Sequence, residues 1–109
     1  MPARTKKPDP FNRALAAYIE WGPSSAQPID VRLKRIFPKA RPAEIRKLIA
    51  ELRDIVGAAS RAVVDQLESK QTEDVGRSAV ERIDPRISPD NAATLYTQAR
   101  VAAWRDGYS

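Results

Sequence analysis

The segment "RIFPKARPAEIRKLI", residues 35–49, contains two prolines four positions apart, followed by apolar residues at helical spacing. A proline disfavours the α conformation in the residue before it, so Pro38 predicts the end of one helix. Proline is well tolerated at the first position of a helix, because the amide N–H that it lacks would have no intrahelical partner there. Pro42 therefore predicts the start of a second helix, and the segment predicts two helices joined by a three-residue turn.

The same arrangement recurs further along the chain without a gap. "RIFPKARPAEIRKLIAELR", residues 35–53, aligns with "RIDPRISPDNAATLYTQAR", residues 82–100, and the two prolines of each stretch coincide. Both stretches end one helix at a proline and begin the next with proline at its first position. The helix that follows the corner at 85–89 carries few cations. A proline corner of this kind is therefore a structural feature and does not by itself indicate a function. The corner at 38–42 differs from it in charge.

Helix signals recur along the rest of the chain, whereas strand signals do not. The sequence predicts helices that begin at Pro10, at Ile29, at Pro42, after a cap at Thr72, and at Pro89. Apolar residues at helical spacing continue from Pro42 to about Ser69, but the glycine at 57 costs about 1 kcal/mol relative to alanine. It remains open whether residues 42–83 form one helix or two. We expect an all-α fold, a small bundle of four or five helices with one long central helix and helix-turn-helix-like corners at 38–42 and 85–89.

The composition excludes several functions. The chain contains neither cysteine nor histidine, so disulfides, Cys/His zinc sites and Ser-His hydrolysis are excluded. No run of eighteen apolar residues and no signal-peptide pattern is present. We therefore expect a non-enzymatic protein without a cofactor or bound metal, which is cytoplasmic, or virion-associated if viral, and which acts by binding.

The length predicts a single domain. A chain of 109 residues corresponds to one domain, and we expect residues 10–109 to form it, with residues 1–9 as a basic, proline-rich arm. Alanine accounts for 17 residues, and such small side chains bury little apolar area. A thin core favours association between copies, so we expect a homo-oligomer.

The net charge of +5 lies in the first half of the chain. Residues 1–57 carry twelve Lys and Arg against six acids, and residues 58–109 carry seven against eight. Within residues 32–47 the only acid is Glu44. The cations of this stretch are Arg32, Lys34, Arg35, Lys39, Arg41, Arg46 and Lys47.

Cations around a turn between two helices are typical of a helix-turn-helix that contacts DNA. Arg46 and Lys47 would face outward on the second helix, and the other five cations would hold phosphates of a nucleic acid, DNA in preference to RNA. The turn lacks the usual glycine, and the second helix is longer than recognition needs. Two alternatives remain: the cations form an ordinary solvated face, or they dock an acidic protein surface. In the latter case the chain is a helical protein-interaction module, such as a virion assembly component or an inhibitor or adaptor of a larger complex.

A second candidate site lies near the end of the chain. Tyr96, Arg100 and Trp104 are four residues apart and would share one helix face, with Tyr108 one turn beyond. They could form a cation–π ladder and an aromatic binding site for a partner. Alternatively, they pack in the core with their polar ends at its rim.

Overall fold

The computed structural model describes residues 9–21 and 28–107, and within these ranges the protein is a bundle of five helices without strands. The predicted all-α class is confirmed. Residues 1–8 of the predicted arm, and Tyr108, lie outside the described residues. The helices are α1 (Pro10–Trp21), α2 (Ile29–Ile36), α3 (Pro42–Glu68), α4 (Glu73–Glu81) and α5 (Pro89–Arg105).

The long central helix, α3, continues through Gly57 without a break. It ends in a Schellman motif, in which the amide of Gln71 donates to the carbonyl of Gln66 at 2.9 Å and the amide of Lys70 donates to that of Leu67 at 3.2 Å. Lys70 takes the left-handed conformation at this turn, with φ of 55°. Residues 42–83 are therefore two helices, α3 and α4, joined by a tight turn.

Both proline corners contain the same β-turn. In the first corner the amide of Ala40 donates to the carbonyl of Phe37 at 3.0 Å, and in the second the amide of Ile87 donates to that of Asp84 at 3.1 Å. Proline occupies the second position of each turn, where its fixed φ is favourable. The connections between helices are nevertheless longer than the predicted three residues, since α2 ends at Ile36 and α4 ends at Glu81.

The core lies where α3 packs against α4 and α5, and it extends to α1 and α2. Its largest fully buried side chains are Leu15, Leu33, Leu52, Val63 and Val80, one or more from each of the first four helices. Helix α5 contributes mainly alanines together with Leu95 and Tyr96. The first proline corner joins α2 to the N-terminal end of α3.

Candidate nucleic-acid interface

The second proline corner is held by contacts of Arg86 with neighbouring side chains. Its guanidinium donates to Asp84 at 2.8 Å and to Glu51 at 3.1 Å, and it lies 4.0 Å from the centre of the Phe11 ring. The hydrogen bond from Arg86 holds the pKa of Asp84 below its ordinary value, and the same bond raises the pKa of Arg86. The Arg86 side chain therefore has a structural role, which is to hold the second corner against α1 and α3.

Asn12 of α1 closes the same corner from the other side. Its side chain is 4% exposed, donates to the carbonyl of Arg86 at 2.8 Å and accepts the amide of Ser88 at 2.8 Å. The side-chain amide of Asn91 also donates to the side-chain oxygen of Asn12, at 3.0 Å. Sequence reasoning missed this residue. The available signal was a polar side chain on the same helical stripe as Leu15, which indicates a buried hydrogen-bonding role.

The first corner carries the same backbone turn without such contacts. Lys39 occupies the position equivalent to Arg86, but it is exposed and forms no ion pair with any described residue. The other six predicted cations also form no ion pair with any described residue. Glu44, the acid of this stretch, accepts the backbone amide of Arg41 at 2.7 Å and so caps the start of α3. Within residues 9–21 and 28–107, the basic stretch is not neutralised by the protein's own carboxylates.

Two of the seven cations have a structural bond to a backbone carbonyl. Half-buried Arg32 donates to the carbonyl of Ala17 at 3.5 Å, which links α2 to α1. The ammonium of Lys34 donates to the carbonyl of Ala40 across the turn. The side chains of the other five are exposed and have no hydrogen bond among the described residues: Arg35, Lys39, Arg41, Arg46 and Lys47.

The structure brings part of this set together at a groove between α2 and α3. Lys34, Arg35 and Arg46 line this groove, and its apolar lining includes Val31 and Ile45. One acid, Asp30, also lines it but forms no ion pair with these cations. Lys39 borders a separate groove on the other side of the corner. We refer to the seven cations of residues 32–47 as the basic corner.

Arg53 extends the basic corner along α3 and was missed by the sequence analysis. It is exposed and has no ion pair among the described residues. It follows Arg46 by seven residues, so the two side chains share a helix face and lie about 10 Å apart along the axis. A seven-residue interval between arginines was the signal that could have identified it.

The residues of the second candidate site, near the end of the chain, do not all follow the same predicted alternative, binding site or core. Tyr96 is 2% exposed, and its hydroxyl donates to the buried Gln66 at 2.7 Å, so it packs in the core. Arg100 donates to the Tyr96 hydroxyl at 3.2 Å and lies 5.9 Å from the centre of its ring. Trp104 is 71% exposed and does not belong to the core. Tyr108 lies outside the described residues.

No protein-family model, curated protein or solved structure matches this chain. In the part of the chain that the structure describes, no three acidic side chains converge as a metal site would require. None of the described helices combines the length and hydropathy needed to cross a bilayer. Function is therefore inferred from the geometry and charge of the described residues.

Proposed function

We propose that the protein binds nucleic acid by placing the basic corner against phosphates. The supporting observation is the contrast between two equivalent corners: Arg86 is paired with two carboxylates, whereas the cations around Lys39 have no acidic partner among the described residues. Like charges held close together repel one another, and this repulsion is relieved when an anionic ligand binds. A phosphate backbone supplies such charges at regular spacing, and binding gains further free energy from released counterions.

The ligand under this proposal is DNA in preference to RNA. The first turns of α3 would lie along a groove with Arg46 and Lys47 directed to the phosphates at its edge, and Arg53 would follow two turns later. The major groove of B-DNA admits a helix, whereas that of A-form RNA is too narrow for side-chain readout. The exposed positions at this end of α3 include no Asn or Gln to read adenine. Sequence preference would therefore be limited to guanine, which arginine and lysine contact, and phosphate contacts would supply most of the affinity.

A charge-matched pair of double variants tests the proposal. Arg46→Gln with Lys47→Gln removes two cations of the basic corner. Arg61→Gln with Lys70→Gln removes two exposed cations, one from the far half of α3 and one from the turn after it. The nearer one, Arg61, lies more than ~20 Å from Arg46 along the axis, by the ~1.5 Å rise per residue. That distance is about two Debye lengths at 0.1 M salt.

Fluorescence anisotropy with a short mixed-sequence DNA duplex would measure both affinities. Each lost phosphate contact should weaken binding about eightfold at 0.1 M salt, so the corner variant should lose about 60-fold and the control about threefold or less. Equal losses in the two variants would show that only net charge matters. Full binding by the corner variant would favour the rival class, a protein-interaction module.

Self-association forms part of the same proposal and stays a prediction. The alanines that α5 contributes to the core bury little apolar area within one copy, and pairing of copies would increase the total burial. Sedimentation of the purified protein would measure its mass with and without duplex DNA. A monomer under both conditions would contradict the predicted oligomer without affecting phosphate binding.

A further inference from the structure

A groove between α4 and α5 lies apart from the basic corner and carries an exposed indole. Its volume is about 400 Å³, with Glu73 and Arg77 on the α4 side and Tyr96, Arg100 and Trp104 among the residues on the α5 side. Trp104 is the most exposed large apolar side chain among the described residues. An exposed indole offers a flat aromatic face on which a ligand can stack.

Two guanidinium groups of this groove are held in place by the fold. Arg77 lies 5.0 Å from the centre of the Tyr96 ring and is 2.8 Å from the Glu73 carboxylate. Arg100 donates to the Tyr96 hydroxyl and is 3.7 Å from the same carboxylate. Since both arginine side chains remain more than 40% exposed, they can still donate to an anion. Their fixed positions reduce the ordering cost of binding.

The charge of the groove favours an anionic ligand. Arg77 and Arg100 share the single carboxylate of Glu73, so the groove is left with one uncompensated positive charge. Arg100 and Trp104 are four residues apart on one face of α5, about 6 Å along the axis. A cation and a flat aromatic ring therefore lie within one helical turn of each other.

The apolar area at this groove is small. Among its lining residues, the exposed apolar side chains are Val101 and Trp104. A stable protein interface buries about 800 Å² on each partner around an apolar centre, which is more than two side chains provide. A stacking platform for a nucleobase needs one exposed ring with cations nearby.

We propose that this groove binds single-stranded nucleic acid, with a base stacked on the Trp104 indole and the adjoining phosphate on Arg100 and Arg77. The inference rests on the proposed function, because it assumes the same class of ligand, nucleic acid. The surface involved is a different one. The basic corner would hold duplex phosphates, and the groove would hold an unpaired strand.

Tryptophan fluorescence tests this proposal directly. The chain has two tryptophans, so a Trp21→Phe background leaves Trp104 as the reporter. Titration with a short oligothymidylate should quench the fluorescence saturably, because a stacked base lies on the ring. Loss of one base–aromatic stack weakens binding by about tenfold or more, and Trp104→Ala should show this loss. Because variants at position 104 lack the reporter, their affinities are measured by the anisotropy of a labelled oligothymidylate.

Two further substitutions separate stacking from apolar docking. Trp104→Phe keeps an aromatic face and should retain most of the affinity, whereas Trp104→Leu keeps apolar area without a ring and should bind as weakly as Trp104→Ala. None of the three should alter affinity for duplex DNA. Absence of quenching, retained affinity in Trp104→Leu, or a change of mass in solution on Trp104→Ala would each overturn the proposal. Quenching that persists in the Arg46→Gln, Lys47→Gln variant would support it even if duplex binding were never observed.

Discussion

Gly76 of α4 packs against Gln66 of α3 and Tyr96 of α5. A Cβ atom built on it would overlap the Gln66 side-chain oxygen and would lie 2.8 Å from Cε1 of Tyr96. Neither neighbour can move easily, because the Tyr96 hydroxyl is bonded to Gln66, and Gln66 is bonded to the carbonyl of Gln71. The absence of a side chain at Gly76 is therefore a requirement of the packing.

Alanine at the two helical glycines should shift stability in opposite directions. Gly76→Ala overpacks a buried contact and should lower the free energy of unfolding by about 1–3 kcal/mol. Gly57→Ala places its Cβ no closer than 3.5 Å to Arg61 and should raise it by about 1 kcal/mol, because alanine is the better helix former. Urea denaturation followed by circular dichroism would measure both. A stabilising Gly76→Ala would contradict the described packing of α4.

No local sequence pattern distinguishes these two glycines. Each lies inside a helical segment, and the difference between them comes from Gln66 and Tyr96, which belong to other helices. Asn12 is different, since its place on an apolar stripe already indicates burial. At the scale of single residues, the sequence indicates which side is buried but not which atoms meet there.

At the scale of helices, the starts were predicted more accurately than the ends. Pro10, Pro42 and Pro89 each begin a helix as expected, because proline at the first position is a strong and purely local signal. The end of α2 lies one residue earlier than predicted, since Phe37 has already left the helical conformation, with φ of −121°. The turn after α3 had no glycine to mark it, and Lys70 takes the left-handed position instead.

The second corner should make stability depend on pH in the acid range. The Arg86 hydrogen bond keeps the pKa of Asp84 below its ordinary value of 3.8 in the folded protein. The unfolded chain therefore binds more protons than the folded chain in this range, and stability rises with pH. The contribution of Asp84 is complete well above pH 3.8 and is lost as pH falls through its folded pKa.

Replacing Asp84 removes this contribution. Asp84→Asn should lower stability near neutral pH and should flatten the dependence on pH below about pH 5. Asp54→Asn, at an exposed carboxylate without an ion pair among the described residues, serves as the control. Urea denaturation across the acid range would compare the three proteins. Parallel curves for wild type and Asp84→Asn would show that the Arg86 contact does not stabilise the corner.

At the scale of the whole molecule, the cations that form ion pairs among the described residues all lie in the same half of the chain. The described ion pairs use the cations Arg77, Arg86 and Arg100, which all lie in the second half of the chain. The sequence predicted an excess of charge in the first half but could not predict this pairing. Arg86 and Glu51 are 35 positions apart, so their contact depends on how α3 and the second corner pack. Composition therefore suggested the candidate surface, and the fold showed which cations remain available.

The central claim is that the basic corner binds phosphates, and the dependence of duplex affinity on salt tests it most directly. Five exposed, unbonded cations would release about four to five counterions if each met a phosphate. The logarithm of Kd should then rise with the logarithm of salt concentration with a slope of about 4, or more than 100-fold between ~50 and ~200 mM. The Arg46→Gln, Lys47→Gln variant should show a slope lower by about 2. Binding that is absent at low salt, or a Kd that does not change with salt, would contradict the claim.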